Sequence, residues 1–423
     1  MSDHTKPASG SREDVRFNAS VNILDGAFFG AGLGFASFTT VIPLFVSLLT
    51  NSVILIGLAT AIHTLGWQVP QLPLAARVGR LARFKPTVLA MTIHERLPFL
   101  GLAILAWFLP VLDLKIALLL AFGLLVWQAL GGGFNANVWQ SMIAKIIPES
   151  LRGRFLGVQM SAVDLLMVGG AIAAGLILDR YTSRIGFTLC FLLAFTAMVI
   201  SFGFLSLTRE KAVAPAISPD VRMNVWTETK RLLANDSVFQ RFLLFRMMFQ
   251  LAMVAFSFYA IYAVGELGVS VAIVGVLTGV MVFCQMLANP LLGVFGDRTS
   301  HFIVLFLGTL AALLSTALAG SLSSISGLYV VFGLAGIAMS VGWTTTMVLS
   351  LGFGDPAEQS TYIGMSNTLI APVTLAAPIL AGLVINTFGF PAMFQASAVV
   401  FLAAAVVSLS MLRLRPTARL KPS

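Results

Sequence analysis

The chain has 423 residues, of which 58% are hydrophobic and only 10% are charged, whereas a soluble domain carries roughly 25% charged residues. Its mean hydropathy of +0.94 excludes an ordinary soluble globule, a disordered chain and a nucleic-acid-binding domain. In a membrane protein the formal net charge of +9 is explained by Lys and Arg residues that collect in cytoplasmic loops. The composition therefore predicts an all-α membrane protein.

Twelve apolar runs are long enough to cross a bilayer, since about 20 apolar residues span the hydrocarbon. In chain order they cover residues 18–49, 53–76, 86–109, 115–141, 155–178, 187–207, 239–264, 271–294, 302–320, 327–351, 362–385 and 391–411. If the N-terminus is cytoplasmic, most Lys and Arg residues fall in inside segments, and only Lys115, Arg180 and Arg184 fall in outside ones. This asymmetry predicts an even number of spans with both termini in the cytoplasm.

A polar stretch in the middle of the chain divides it into two halves. We predict a cytoplasmic N-terminal tail (1–17), a six-helix bundle (18–207), a cytoplasmic linker (208–238), a second six-helix bundle (239–411) and a cytoplasmic C-terminal tail (412–423). The second part of the linker, from Val221 to Leu233, has an apolar face typical of a helix lying on the membrane surface.

The two halves also resemble each other in sequence. Ser52–Gly57 matches Ser270–Gly275, and each segment opens the second helix of its half. In the first helices, Asp25 aligns with Arg246. Ordered matches of this kind predict a duplicated six-helix unit with the same orientation in both halves, and hence two pseudo-symmetric bundles.

Two loop motifs then identify a family resemblance. The loop after the eighth helix contains Gly293-Val-Phe-Gly-Asp297-Arg298, which is similar to the G-x-x-x-D-R motif of the major facilitator superfamily. With the twelve spans and the parallel repeat, the chain resembles bacterial twelve-helix members of that superfamily over residues 18–411. The resemblance implies a secondary transporter. One departure is Gly79, which stands where the family has an acidic residue in the first-half loop.

The resemblance also implies a gate at the cytoplasmic surface. In the family the loop acid of one half faces the fifth helix of the other, so Asp297 should face the start of the fifth helix, where Arg152 and Arg154 stand. Its neighbour Arg298 is assigned to the same gate. We expect Asp297 within about 4 Å of Arg152 or Arg154, the ion-pair limit, when the cytoplasmic side is closed. Gly79 should face the start of the eleventh helix, where charge is also missing.

Ionisable side chains at membrane depth are costly unless paired or facing water, so each is a functional candidate. We expect Asp25 and Arg246 to line the cavity and to approach each other when the cytoplasmic side is closed; the alternative is a fixed ion pair inside one bundle. Asp25, Asp164 and Glu95 are candidates for carrying a coupling proton. A structural role stays open for each, and Glu95 would then pair with Arg96.

Aromatic and polar side chains are expected around the substrate. The predicted cavity residues are Asp25, Phe28, Phe35, Asn135, Asn137, Arg246, Phe249, Trp343 and Thr345. Amides, hydroxyls and indoles suit an uncharged or amphipathic ligand, although polar groups in membrane helices also form interhelical hydrogen bonds. The sequence has no metal-ligand spacing, nucleophile elbow or phosphate-binding Gly loop, so we expect no metal, no cofactor and no enzymatic activity.

The leading hypothesis is an alternating-access transporter of the inner (plasma) membrane that exports a hydrophobic or amphipathic small molecule in exchange for protons. Uptake of a small nutrient or metabolite is the alternative within this class. A non-transporting membrane sensor and a membrane-embedded enzyme acting on lipid-linked substrates are alternatives from other classes. The expected partners are the small-molecule substrate, the lipid bilayer and protons, without nucleic acid, and we expect a monomer.

Overall fold

A computed structural model describes residues 11–213, 224–321 and 324–413, and these residues are almost entirely helical. The N-terminal half (residues 11–213) contains α1 Arg12–Phe35, α2 Val41–Ser47, α3 Val53–Gln68, α4 Gln71–Val78, α5 Lys85–Phe108, α6 Leu114–Ile146, α7 Glu149–Arg180 and α8 Ser183–Ser206. The C-terminal half (residues 224–413) contains α9 Val225–Asn235, α10 Ser237–Met253, α11 Ala255–Gly265, α12 Val271–Arg298, α13 His301–Ala319, α14 Ile325–Ser340, α15 Thr346–Ser350, α16 Gln359–Thr368 and α17 Ala371–Arg413. A π-helical turn, Val341–Thr345, joins α14 to α15.

Nine helical stretches in the described part of the chain are long and apolar enough to cross a membrane. Their surfaces carry exposed large apolar side chains, such as Leu119, Leu176 and Val406. A soluble protein rarely exposes apolar area on this scale, whereas a bilayer solvates it and a helix satisfies its own backbone groups. The chain is therefore a multi-pass membrane protein, and the count of twelve spans stays a prediction.

The first predicted span, 18–49, is broken into two helices and is not one continuous helix. The chain leaves α1 at Phe35 and starts α2 at Val41. Between them the Ile42 amide donates to the carbonyl oxygen of Ser37, and the Thr39 backbone amide donates to the Ser37 hydroxyl at 3.3 Å. Serine and threonine hydroxyls compete in this way with the helical hydrogen bonds.

The eleventh predicted span begins in α16, and the rest of it forms one stretch with the twelfth, α17, which is bent at Gly389. This residue has a φ of 83°, outside the helical region, and glycine adopts such an angle without steric cost. Pro391 follows two residues later. The bend separates the parts of α17 that the sequence assigned to different spans.

The helix predicted in the linker is present as α9, and its position on the membrane surface stays a prediction. The Asn224 side chain caps it by accepting hydrogen bonds from two backbone amides of its first turn, and Val225, Thr229 and Leu232 form its buried face. Residues 221–223 of the predicted helix, 1–10 of the N-terminal tail and 414–423 of the C-terminal tail lie outside the described residues. α1 already begins at Arg12, within the segment predicted as tail.

Each half contains a large hydrophobic core of its own. Phe99 and Phe191 are fully buried in the core of the N-terminal half. Phe245 and Phe332 are buried in that of the C-terminal half, which Leu72 of the N-terminal half also joins. Because burying a large apolar side chain contributes roughly 1.5–3 kcal/mol, these cores stabilise each half separately.

Candidate functional site

The two halves meet at one end of the molecule. There Ile143 and Leu156 of the N-terminal half form a small hydrophobic core with Val348 and Ile363 of the C-terminal half. The connections from α6 to α7 and from α12 to α13 lie at the same end. We call it the closed end, and the opposite end the open end.

Asp297 joins the halves at the closed end. It lies in the last turn of α12, and its carboxylate accepts hydrogen bonds from the backbone N–H groups of Gly153 at 2.9 Å and Arg154 at 2.7 Å, close to the start of α7. A helix dipole favours a negative charge near its N-terminus. Asp297 thus contacts the start of α7 through backbone amides, and the described residues contain no ion pair between its carboxylate and the guanidinium of Arg152 or Arg154. His301 Nε2 lies 3.0 Å from the same carboxylate.

The predicted gate arginines act differently from one another. The Arg152 guanidinium donates to the carbonyl oxygens of Ala144 and Ile147 in its own half and of Leu351 in the other, at 2.6, 3.3 and 2.9 Å. It therefore fastens the closed end without a carboxylate. The side chains of Arg154 and Arg298 are exposed.

A second contact at the closed end is made by uncharged groups. The Ser360 hydroxyl, at the start of α16, donates to the Ala75 carbonyl oxygen at 2.9 Å. The Asn137 side-chain amide donates to the carbonyl oxygens of Gln71 and Ser360, at 3.1 and 2.9 Å. Gly79 ends α4 one turn beyond Ala75. The start of α16 thus docks on α4 as expected, and no charge is needed on either side.

Glycines on α7 and α12 show where the two halves separate. Gly157 and Gly175 are 18 residues, or five turns, apart and lie on the same face of α7. Gly275 and Gly293 are also 18 residues apart and lie on the same face of α12. A Cβ at Gly157 would lie 2.3 Å from a main-chain oxygen of α12, and one at Gly293 would lie 2.2 Å from a main-chain oxygen of α7. At Gly175 and Gly275 nothing lies within 4 Å. The helices therefore touch at the closed end and diverge towards the open end, which leaves a cleft between the halves.

Polar and aromatic side chains gather where the cleft ends. We call Trp67, Gln140, Arg246, Trp343 and Asn367 the cleft floor; Thr346 and Met347 complete its lining. The Arg246 guanidinium donates to the Asn367 side-chain oxygen at 3.2 Å. The Asn367 amide in turn donates to the side-chain oxygen of Gln71 in the other half, at 2.7 Å. The cleft floor is thus connected to the contacts that hold the closed end together.

Asp164 forms another link between the halves. It is a buried residue of α7, and its carboxylate accepts hydrogen bonds from the side-chain amides of Gln285 and Asn289 on α12, each at 3.1 Å. The side-chain oxygen of Asn289 accepts from the Ser340 and Thr344 hydroxyls at 2.7 and 2.8 Å. The described residues place no cation within 4 Å of this carboxylate.

Asp25 lies inside the N-terminal half. Its carboxylate pairs with the Arg96 guanidinium at 3.2 Å and accepts from the Ser201 hydroxyl at 2.6 Å. The fixed ion pair within one half is therefore the arrangement found, and the described residues contain no contact between Asp25 and Arg246. The expected pair of Glu95 with Arg96 is replaced as well, since Glu95 instead accepts from the Asn135 amide at 3.4 Å.

Of the predicted cavity residues, the structure brings Arg246 and Trp343 to the cleft floor. The aromatic ones contribute to helix packing: Phe28 stacks on Phe204, Phe35 packs against the N-terminal core, and Phe249 is buried against Phe245 and Phe401. Thr345 is buried as well. Of the two asparagines, Asn135 contacts Glu95 and Asn137 joins the halves. Sequence reasoning did not place Gln140 and Asn367 beside Arg246. Their only sequence signal is a polar amide in an apolar helix.

Comparison with known proteins identifies the fold. Residues 242–423 match the family profile described as Major Facilitator Superfamily. The chain is similar to the structure of FucP, a Major Facilitator Superfamily transporter in the outward conformation, with a TM-score of 0.75 and 15% identity over 93% of this chain and 99% of that one. The proton:xylose symporter XylE gives a TM-score of 0.72 and 14% identity, over 94% and 96% of the two chains.

One relative among curated sequences matches only in part. The probable vesicular acetylcholine transporter-B of Danio rerio is 28% identical over 141 residues, which are 33% of this chain and 29% of that protein. The match thus spans less than a third of the relative's length. These similarities show the fold of a transporter family and leave the substrate open.

Proposed function

We propose that this chain, whose residues 242–423 match the Major Facilitator Superfamily profile, is a secondary active transporter that works by alternating access. Its two halves act as six-helix bundles that rock about a central site. The observation that carries this proposal is the difference between the two ends of α7 and α12. At the closed end the glycines of these helices contact the main chain of the other helix, and at the open end the glycines on the same faces have open space. A cleft sealed at one end only is one of the two states that alternating access requires.

In the proposed topology twelve spans cross the inner (plasma) membrane and both termini are cytoplasmic. The closed end is then the cytoplasmic side, because it carries most of the basic residues, including Lys145 and Arg152. The open end carries Lys115, Arg180 and Arg184. The described conformation is accordingly outward-open.

We assign the coupling proton to Asp164. An ionised carboxylate has acceptor sites for both amides of α12, whereas a protonated one has fewer and gains a donor. Proton uptake from the outer side therefore weakens the contact between α7 and α12, so that the closed end can separate. Proton release to the cytoplasm restores the contact and returns the protein to the outward-open form.

Export of an amphipathic compound against proton entry is the direction we propose. The indoles of Trp67 and Trp343 beside the amides of Gln140 and Asn367 suit a ligand with an apolar body and a polar group. Proton-coupled uptake is the second candidate, favoured by the similarity to XylE, whose structure is described as a proton symporter.

The test is transport by the purified protein in liposomes with an imposed pH gradient, using a panel of dyes and metabolites. We expect gradient-driven movement of at least one compound. Asp164→Asn should abolish it and leave substrate exchange intact, because the amide keeps the shape but cannot titrate. Asp179→Asn is the matched control, since Asp179 is an exposed residue near the end of the same helix. Lack of any gradient-driven movement would contradict the transporter, and unchanged movement in Asp164→Asn would contradict the coupling site.

A further inference from the structure

The cleft floor contains a cation that has no counter-ion among the described residues. Arg246 is half-buried, and its one described polar partner is the neutral side-chain oxygen of Asn367 at 3.2 Å. No carboxylate of the described residues lies within 4 Å of its guanidinium. A guanidinium offers five N–H donors in a planar fork, so most of its hydrogen-bonding capacity has no partner among the described residues.

The acids at membrane depth are engaged elsewhere. Asp25 is paired with Arg96 inside the N-terminal half, Glu95 is bound to an asparagine of that half, and Asp164 is bound by two amides of α12. None of these contacts involves Arg246. A charge held at membrane depth is normally paired or functional. Since the protein supplies no anion to Arg246 within its described residues, an anion from outside the protein can occupy that place.

The surroundings of Arg246 define the rest of such a ligand. Trp67 belongs to the N-terminal half and Trp343 to the C-terminal half, and both line the small cavity of the cleft floor. Trp343 is 41% exposed. Indole rings provide flat apolar surface for an aromatic or aliphatic body, and the side-chain amide of Gln140 provides a hydrogen-bonding group beside it. A guanidinium fork matches the two oxygens of a carboxylate or of a phosphate or sulfate group.

From this geometry we propose that the cleft floor binds an amphipathic organic anion, whose oxyanion group is held by Arg246 and whose apolar body packs on Trp67 and Trp343. This inference rests on the proposed function only in taking the cleft as the substrate site, and it is independent of the direction of transport. The sequence predicts an uncharged or amphipathic ligand, and the present inference restricts that class to amphipathic compounds with a negative charge.

The same geometry predicts a link between ligand and conformation. Arg246 and Gln71 are both bound by Asn367, and Gln71 belongs to the N-terminal half. An oxyanion on the guanidinium competes with the side-chain oxygen of Asn367. Because Asn367 then loses one of its two anchors, the bound anion weakens a contact between the halves.

The experiment compares three probes with the same aromatic body on the purified protein: 2-naphthoate, 2-naphthamide and 2-naphthylmethylammonium, which are anionic, neutral and cationic. Binding is followed by tryptophan fluorescence and calorimetry, and transport by uptake into liposomes. Hydrogen bonds to charged groups contribute about 1.5–3 kcal/mol. We therefore expect the naphthoate to bind at least about tenfold more tightly than the amide, and the ammonium compound to bind least.

Variants assign that preference to one side chain. Arg246→Gln should remove the preference for the anion, while Arg246→Lys should retain most of it because the charge remains. Arg241→Gln is the matched control: Arg241 is on the same helix, and its guanidinium contacts the carbonyl oxygen of Ser410. The control should bind all three probes as the wild type does.

The inference is overturned if the naphthoate does not bind more tightly than the amide, or if Arg246→Gln keeps the preference. Its failure is distinguishable from that of the proposed function. Gradient-driven transport of neutral or cationic compounds that is indifferent to Arg246→Gln would leave a transporter and remove the anion site. Selective anion binding without gradient-driven transport would keep the site and contradict the transporter.

Discussion

The Asp164 carboxylate accepts a hydrogen bond from the side-chain amide of Asn289 at 3.1 Å, across the boundary between the two halves. The backbone oxygen of the same Asn289 lies only 2.3 Å from the position that a Cβ on Gly157 would take. One residue of α12 therefore takes part in both the acid contact and the close helix approach. In the proposed mechanism, a change of protonation at Asp164 would therefore act on the contact that seals the closed end.

Gly157→Ala should open the closed end. The added methyl group cannot fit against the main chain of α12, and overpacking of this kind costs about 1–3 kcal/mol. The cost falls only on the outward-open form, so the inward-open population should rise. The measurement is the distance between spin labels at Ser150 and Thr299, which are exposed on opposite halves.

The matched control is Gly175→Ala, five turns further along the same face, where nothing lies within 4 Å. Its distance distribution should equal that of the wild type. Equal distributions for Gly157→Ala and the wild type would show that the close approach does not set the conformation. All labelled variants are made in a background in which Cys190 and Cys284 are replaced.

Asp297→Asn should also raise the inward-open population, in this case because a charged contact is lost. The amide side chain loses the negative charge that accepts the N–H groups of Gly153 and Arg154, and hydrogen bonds to charged groups contribute about 1.5–3 kcal/mol. The label distance across the closed end should lengthen, whereas Gly79→Asp should change it little, because the contact of α4 with Ser360 is uncharged. An unaltered distribution in Asp297→Asn would refute the gate.

Asp25→Asn should chiefly lower stability. Asp25 and Arg96 have side chains only 7% exposed, and removing one partner of a buried pair costs about 3–5 kcal/mol because a charge is left uncompensated. The midpoint of thermal unfolding in detergent should fall clearly. The double variant Asp25→Asn/Arg96→Met should recover part of the loss. A single variant as stable as the wild type would contradict a structural role for the pair.

Sequence reasoning located the contact of Asp297 with the start of the fifth predicted span, because a loop motif fixes both the residue and its partner helix. For Asp25 it gave a fixed ion pair inside one bundle, here with Arg96, only as the alternative. Helical periodicity gives the face on which a residue lies, but not the neighbouring helix that faces it. The aligned positions of Asp25 and Arg246 suggested a pair across the two halves, whereas α5 supplies a closer cation.

Other features depend on tertiary structure for similar reasons. The break between Phe35 and Val41 lies within an apolar run, where hydropathy alone does not separate one helix from two. The cleft floor combines Trp67, Gln140 and Asn367 from three distant parts of the chain. Each is ordinary in its own helix, and the site exists only once the halves are in contact.

The most direct test of alternating access is a pair of distances measured in the same preparation at acid and at alkaline pH. One pair of spin labels, at Ser150 and Thr299, spans the closed end; the other, at Arg180 and Ser270, spans the open end. Acidification should lengthen the first distance and shorten the second, and Asp164→Asn should remove the response to pH. Two distances that change in the same direction, or that do not change with pH in the wild type, would contradict a proton-driven exchange between outward-open and inward-open forms.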